Sequence, residues 1–95
     1  MAYLKKRLGA ELILVCTPLL FCTPNDEALF FEWLGKIKCI EKCVGVGDEL
    51  HLYILSKKIK NNDLLELMGV FRRYNFDLNQ LKIFINSKNK KWFEE

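Results

Sequence analysis

The pattern of hydrophobic and polar positions predicts one early β-strand and, further along the chain, a β-hairpin. Residues 11–16 form an almost continuous apolar run of the length typical of a buried strand. Residues 37–44 and 49–55 are prone to form strands, and the segment 45–48 between them contains two glycines and an aspartate. Such a segment between two apolar runs is typical of the turn of a hairpin.

Three further segments have the periodicity and the capping residues of helices. Apolar side chains recur on one face of each, and an N-cap residue such as Thr23 or Asp77 precedes them. The first predicted helix runs from Thr23 to about Gly35. The second begins at the capping residues 61–63 and ends at Asn75, a residue that readily adopts the left-handed conformation that ends a helix, and the third begins at Asp77. Residues 3–9 suit a short basic helix as well.

The second strand of the predicted hairpin is partly apolar on both faces, as in a strand near the middle of a sheet. Alternate residues of a strand share a side, so one face carries Leu50, Leu52 and Ile54. The other face carries Glu49, His51, Tyr53 and Leu55. Together the elements predict a single α+β domain over residues 1–95, with a small antiparallel or mixed sheet, helices packed mainly on one face, and the order β-α-β-β-α-α.

Composition and charge exclude two broad classes of protein. With 51% hydrophobic residues and a net charge of +3, the chain is too apolar and too weakly charged for a disordered tail. At 95 residues it is too short for two domains with separate cores. The charge is uneven, because residues 57–91 contain nine basic and three acidic side chains. Such an excess attracts an anionic partner or serves solubility alone.

The N-terminal region imitates a secretory signal peptide. A basic cluster at residues 5–7 precedes an apolar stretch that reaches Cys22. Pro18 interrupts that stretch, and the residues after it lack the small side chains of a cleavage site. No apolar run reaches the roughly 18 residues needed to cross a bilayer. We therefore expect a cytoplasmic protein without a membrane partner.

The chain offers few residues for catalysis or for metal binding. Only Cys39 and Cys43 of the four cysteines are closely spaced, and they fall in a predicted strand rather than in zinc-binding turns. We expect free, buried thiols, no metal and no cofactor. The single histidine, His51, lies in mid-strand with no serine or cysteine beside it, and the glycine turn lacks the lysine and serine of a phosphate-binding loop. We therefore expect no enzymatic activity.

Two kinds of binding remain open. Nucleic acid would bind to the basic half of the chain, through Arg72, Arg73, Lys88, Lys90 and Lys91. A protein partner would dock on the outward face of the sheet and its hairpin, through Glu41, Asp48, Glu49, His51 and Tyr53. The acidic side chains of this second set favour a basic partner. Alternatively the N-terminal segment or a second copy of the chain covers that face, so that monomer and homodimer both stay open.

Four short motifs carry a resemblance to a known group of proteins. They are Phe30-Phe31-Glu32-Trp33-Leu34, Asp63-Leu64-Leu65-Glu66-Leu67, Phe71-Arg72-Arg73-Tyr74 and Asn89-Lys90-Lys91-Trp92-Phe93. From residue 23 to the end, the chain resembles small bacterial proteins of polymorphic-toxin loci, among them immunity proteins of contact-dependent growth inhibition. The resemblance implies a non-catalytic cytoplasmic protein that binds one cognate toxin domain and blocks its active site. Since the motifs consist mostly of core aromatics and caps, no functional residue is transferred.

Overall fold

The computed structural model of the protein describes residues 2–5, 11–55 and 59–93. These residues form four β-strands and two α-helices, followed by two short 3-10 helices. The strands and α-helices are β1 (Ala2–Lys5), β2 (Glu11–Cys16), α1 (Pro24–Gly35), β3 (Ile40–Val46), β4 (Glu49–Leu55) and α2 (Asn61–Arg73). The 3-10 helices span Leu78–Phe84 and Lys90–Phe93.

The four strands form one antiparallel sheet in the order β1-β2-β4-β3. β4 therefore lies inside the sheet, as its two partly apolar faces predicted, and β3 forms one edge. The predicted α+β class is confirmed. No helix of the described residues is long and apolar enough to cross a membrane.

Three predicted elements differ from the structure. Residues 2–5 form a strand rather than part of the predicted basic helix. Their backbone groups gain partners by pairing with β2, whereas so short a helix is marginal in water. Residues 6–9 of the predicted helix lie outside the described residues. The third predicted helix is a 3-10 helix that begins at Leu78. β3 begins at Ile40 instead of residue 37, since Ile37 and Ile40 donate backbone hydrogen bonds in turns that follow α1.

The hydrophobic core lies between one face of the sheet and the two α-helices. Alternate residues of β2 and β4 line it from the sheet side, and Phe30 of α1 and Phe71 of α2 are fully buried against them. The strand residues of this face are Leu12, Leu14, Cys16, Leu50, Leu52 and Ile54. The helices therefore pack on one face of the sheet, the face that carries Leu50, Leu52 and Ile54.

The two α-helices meet where a glycine faces a tryptophan. A Cβ atom at Gly69 of α2 would lie 3.2 Å from the indole ring of Trp33 in α1, so a glycine permits this close approach. The indole Nε1 of Trp33 donates a hydrogen bond of 2.7 Å to Glu66, which fixes the ring against α2. At its start, α1 is capped as predicted: Oγ1 of Thr23 accepts from the backbone N–H of Asp26 at 3.1 Å.

A buried glutamine completes the sheet where β1 ends. In the described residues, β1 pairs with β2 only as far as Leu14, so no described strand lies beside the outer backbone groups of Val15. Oε1 of Gln80 accepts from the Val15 N–H at 2.7 Å, and Nε2 of Gln80 donates to the Val15 carbonyl at 2.8 Å. The side-chain amide thus replaces a strand partner, which explains why Gln80 is only 4% exposed.

The four cysteines are free thiols in two different settings. Cys16 and Cys39 are buried, and this burial raises the pKa of each thiol to about 12. Cys22 and Cys43 are exposed. The prediction of buried thiols is therefore confirmed for the first pair and wrong for the second, because Cys22 lies in an exposed loop and Cys43 on the edge strand β3.

Candidate protein-binding site

The β3–β4 hairpin ends in a turn of two residues. Val46 pairs with Glu49, so the turn consists of Gly47 and Asp48 alone, and the wider turn predicted from residue 45 is wrong because β3 continues through Val46. Gly47 has a φ of 62°, the left-handed conformation that glycine adopts without strain. A positive φ at the first turn residue alone is typical of a type II′ turn, whose twist matches that of the two strands.

The outward face of the hairpin carries the alternate residues of β4 that do not enter the core. Glu49, His51, Tyr53 and Leu55 are all half-buried, whereas the residues between them are buried. From β3, the cross-strand partners on this outward face are Val46, Val44 and Lys42. Among the described residues, both α-helices pack on the opposite face.

Exposure on this face increases from the centre of the sheet toward its β3 edge. On β2, Ile13 and Val15 are only 3% and 6% exposed. They pair with Tyr53 and His51 respectively, which are half-buried. On β3, next to the hairpin turn, Val46 is 48% exposed. The accessible part of the face is therefore its β3–β4 half, with an apolar base beside it.

Two polar contacts fix the side chains on the outward face. Oε1 of Glu49 lies 3.0 Å from Nε2 of His51, two residues along the same side of β4. The ammonium group of Lys42 lies 4.6 Å from the centroid of the Tyr53 ring, within the range of a cation–π contact. Both contacts hold a flat ring in place before any partner binds, which lowers the entropic cost of binding.

The structure brings most of the predicted site residues together. Glu49, His51 and Tyr53 share the outward face, and Asp48 is exposed in the adjoining turn. Glu41 is also exposed, but it lies at the far end of β3, where the pairing register shifts between Ile40 and Lys42. This shift is a β-bulge, and Glu41 is its extra residue.

Sequence reasoning missed Lys42 and the two valines of β3, which complete the face. The alternation in β3 does predict that residues 42, 44 and 46 share one side. The alternation does not predict that these three residues lie on the same face of the sheet as Tyr53, because the bulge at Glu41 changes the register. Cross-strand pairing depends on the bulge, and a bulge has no clear signal in a single sequence.

The residues across from His51 on the outward face are apolar. The cross-strand neighbours of His51 are Val15 on one side and Val44 on the other, and neither carries a nucleophile. Within the described ranges, no group of three or more His, Cys, Asp or Glu side chains is placed to hold a metal ion. The acidic groups at the hairpin end add negative charge to a surface of mixed polarity.

Comparisons with protein-family models, with curated proteins and with solved structures find no match to the chain.

Proposed function

We propose that this chain is a non-catalytic protein-binding domain that docks its partner on the outward face of the β3–β4 hairpin. The observation that carries the proposal is the graded exposure of that face. A buried apolar base lies beside the half-buried rings of His51 and Tyr53, and Val46 is exposed next to the hairpin turn. A partner that covers the hairpin would remove this apolar area from water.

The chemistry of the face favours a partner of particular composition. Tyrosine is enriched among the residues that contribute most to interfaces, because a large rigid ring loses little entropy on binding. Asp48 and Glu49 lie beside the ring-bearing strip and would pair with lysines or arginines at the rim of the partner. The proposed partner surface is therefore apolar at its centre and basic at its rim.

The cellular role that we propose is that of an immunity protein, which binds a cognate bacterial toxin domain and neutralises it. The motif resemblance of residues 23–95 supports this role. Neutralisation by coverage of a toxin's active site needs no catalytic group, and the outward face offers a binding surface rather than a reaction centre. A cytoplasmic location, where such a toxin acts after entry, is part of the same proposal.

The test starts from the reading frame upstream of the gene of this chain. If it encodes a large secreted protein, the C-terminal domain of that protein is expressed in a susceptible bacterium with or without this chain, and an unrelated reading frame there would count against the immunity role. We expect the chain to restore growth and to bind the purified domain. Replacing Asp48 and Glu49 by lysine should weaken binding by roughly tenfold to a hundredfold, since it places like charges opposite a basic rim.

The matched control is Glu32→Lys together with Glu27→Lys, which makes the same change of charge on α1. Glu32 forms only an exposed ion pair with Lys36, at 3.4 Å, so its loss should alter stability little. The control variant should bind as the unaltered chain does. Equal affinities for the hairpin variant and the unaltered chain would remove the hairpin from the site, and a failure to restore growth would contradict the immunity role.

A further inference from the structure

Four neighbouring residues near the end of the described chain line a cavity that differs chemically from the outward face of the hairpin. Its volume is about 310 Å³, and its lining residues are Ser87, Lys88, Lys90 and Lys91. We call this cavity the lysine cradle. Three of the lining residues carry ammonium groups and one a hydroxyl, and among the described residues no acidic or aromatic side chain lines the cavity. In the residues that the structure describes, no carboxylate forms an ion pair with the three lysines.

The backbone of the lysine cradle is fixed by a pair of asparagines. Oδ1 of Asn86 accepts hydrogen bonds from the N–H groups of Lys88 and Asn89, at 2.8 Å and 3.1 Å. In return, Oδ1 of Asn89 accepts from the Asn86 N–H at 2.8 Å, and its Nδ2 donates to the Phe84 carbonyl at 3.2 Å. Lys88 therefore projects from a turn, and Lys90 and Lys91 from the start of the 3-10 helix that follows it, so the backbone that carries the lysines is ordered before a ligand arrives.

Asn89 shows how strongly this turn is anchored. It is 1% exposed, although an amide that is buried without partners is costly, and it satisfies its oxygen and nitrogen within the turn. Surface lysines on a mobile loop lose backbone entropy when they gather around an anion. Here the buried asparagine has already fixed the backbone, so less entropy is lost on binding.

We propose that the lysine cradle binds the phosphate groups of a nucleic-acid backbone. Ammonium and hydroxyl groups donate hydrogen bonds and charge to phosphate oxygens, and lysine binds phosphate as a point charge without base selectivity. The cradle lies within residues 57–91, whose nine basic and three acidic side chains give the surrounding region a positive field. The site does not depend on the hairpin face and is independent of the proposed immunity role.

The cradle involves only part of the basic set predicted from the sequence. The guanidinium carbon of Arg73 lies 5.8 Å from the Tyr74 ring centroid, and its charge also acts on Asp26. Arg73 is therefore engaged with the start of α1, and Arg72 also has an interaction of its own. The three lysines that share one cavity are the groups that remain for a phosphate backbone.

The test measures the fluorescence anisotropy of a labelled DNA duplex with the full chain, over a series of salt concentrations. Three lysine–phosphate contacts predict a slope of log affinity against log salt of about −2.7. Replacing Lys88, Lys90 and Lys91 by alanine should reduce the affinity about tenfold or more at low salt and flatten the slope. A control variant with Lys36, Lys38 and Lys82 replaced by alanine loses the same net charge and should retain most of the binding.

Three other results would each overturn the proposal. Equal losses in the two triple variants would mean that net charge alone, and not the cradle, attracts the duplex. Binding of inorganic tripolyphosphate without binding of the duplex would limit the cavity to small anions. No measurable duplex binding at low salt would remove the site altogether. Thermal melts of both variants show that each is folded, so that a lost fold is not mistaken for a lost contact.

Discussion

At the level of single residues, Asp26 links three parts of the chain at the start of α1. Its Oδ2 accepts from the Cys22 N–H at 2.9 Å, and its Oδ1 accepts from the Tyr74 hydroxyl at 3.0 Å. The bond from Cys22 is the main cause that lowers the pKa of Asp26, with further contributions from Tyr74 and Arg73. Desolvation, followed by the bond to Asp26, raises the pKa of Tyr74.

The pKa shifts of Asp26 and Tyr74 predict that the protein loses stability at both ends of the pH range. The Asp26 contribution is fully present above its ordinary pKa of 3.8 and is lost as the pH falls through the lowered folded value. The Tyr74 contribution is fully present below its ordinary pKa of 10.0 and is lost as the pH rises through the raised folded value. Urea unfolding of Asp26→Asn should therefore depend less on pH at the acid end than unfolding of the unaltered chain.

The Tyr74→Phe variant separates the hydrogen bond from the packing of the ring. It keeps the ring that packs against Phe30 at 4.9 Å between centroids, and it removes the donor to Asp26. The pKa of Asp26, followed by NMR of its carboxyl carbon, should rise toward the ordinary value. Tyr53→Phe, on the outward face of the sheet, is the control that should leave this pKa unchanged. An unchanged pKa in Tyr74→Phe would contradict a direct link.

Residue roles were predictable from the sequence where the physical cause is local. Thr23 caps α1, Asp77 caps the first 3-10 helix, and Asn75 has a φ of 62° as a left-handed stop. Each of these depends only on neighbours within a few positions. Gln80 was not predictable, because its partner Val15 lies 65 positions away. A single sequence contains no local signal for a buried amide that replaces a strand.

At the level of elements, the hairpin turn allows a comparison of two glycines in one strand pair. Gly47 has a φ of 62°, where an alanine is strained, whereas Gly45 has no atom within 4 Å of the Cβ that an alanine would add. Gly47→Ala should lower the free energy of unfolding by about 1–2 kcal/mol. Gly45→Ala should raise it by about 0.5–1 kcal/mol, since glycine is unfavourable within a strand.

Chemical denaturation of the two variants measures both effects under the same conditions. Equal losses would mean that added bulk, and not the backbone conformation of Gly47, determines the cost. Gly47→Ala should also weaken binding of the proposed toxin partner, because a distorted turn moves Asp48 relative to the outward face. Gly45→Ala should leave this binding as it is.

The same hairpin shows which features of the elements the sequence could predict. The alternation from Leu50 to Leu55 predicted the inward and outward faces of β4, and the burial pattern confirms it. The predicted extent of β3 was wrong at both ends. Val46 still pairs across the hairpin, and the residues before Ile40 form turns instead of a strand. The ends of a strand depend on its hydrogen bonds with the partner strand, and the strand propensity of its residues carries no information about those bonds.

At the level of the whole molecule, the order of strands decides which surface is available. β1 and β3 are the two edges of the sheet, and the helices cover the face of Leu52 and its neighbours. The sequence predicted helices mainly on one face, and it predicted an outward face with His51 and Tyr53. It could not predict that β2, from an earlier part of the chain, would bury Ile13 and Val15 beside those rings.

The most direct test of the proposed docking site maps where the proposed partner, a toxin domain, lies on the bound chain. Hydroxyl-radical footprinting measures the oxidation rate of side chains with and without the partner. We expect slower oxidation at His51 and Tyr53 and unchanged rates at Trp33 and Leu29, which lie on the α1 surface. Slower oxidation at Trp33 and Leu29, with unchanged rates at His51 and Tyr53, would contradict docking on the hairpin face.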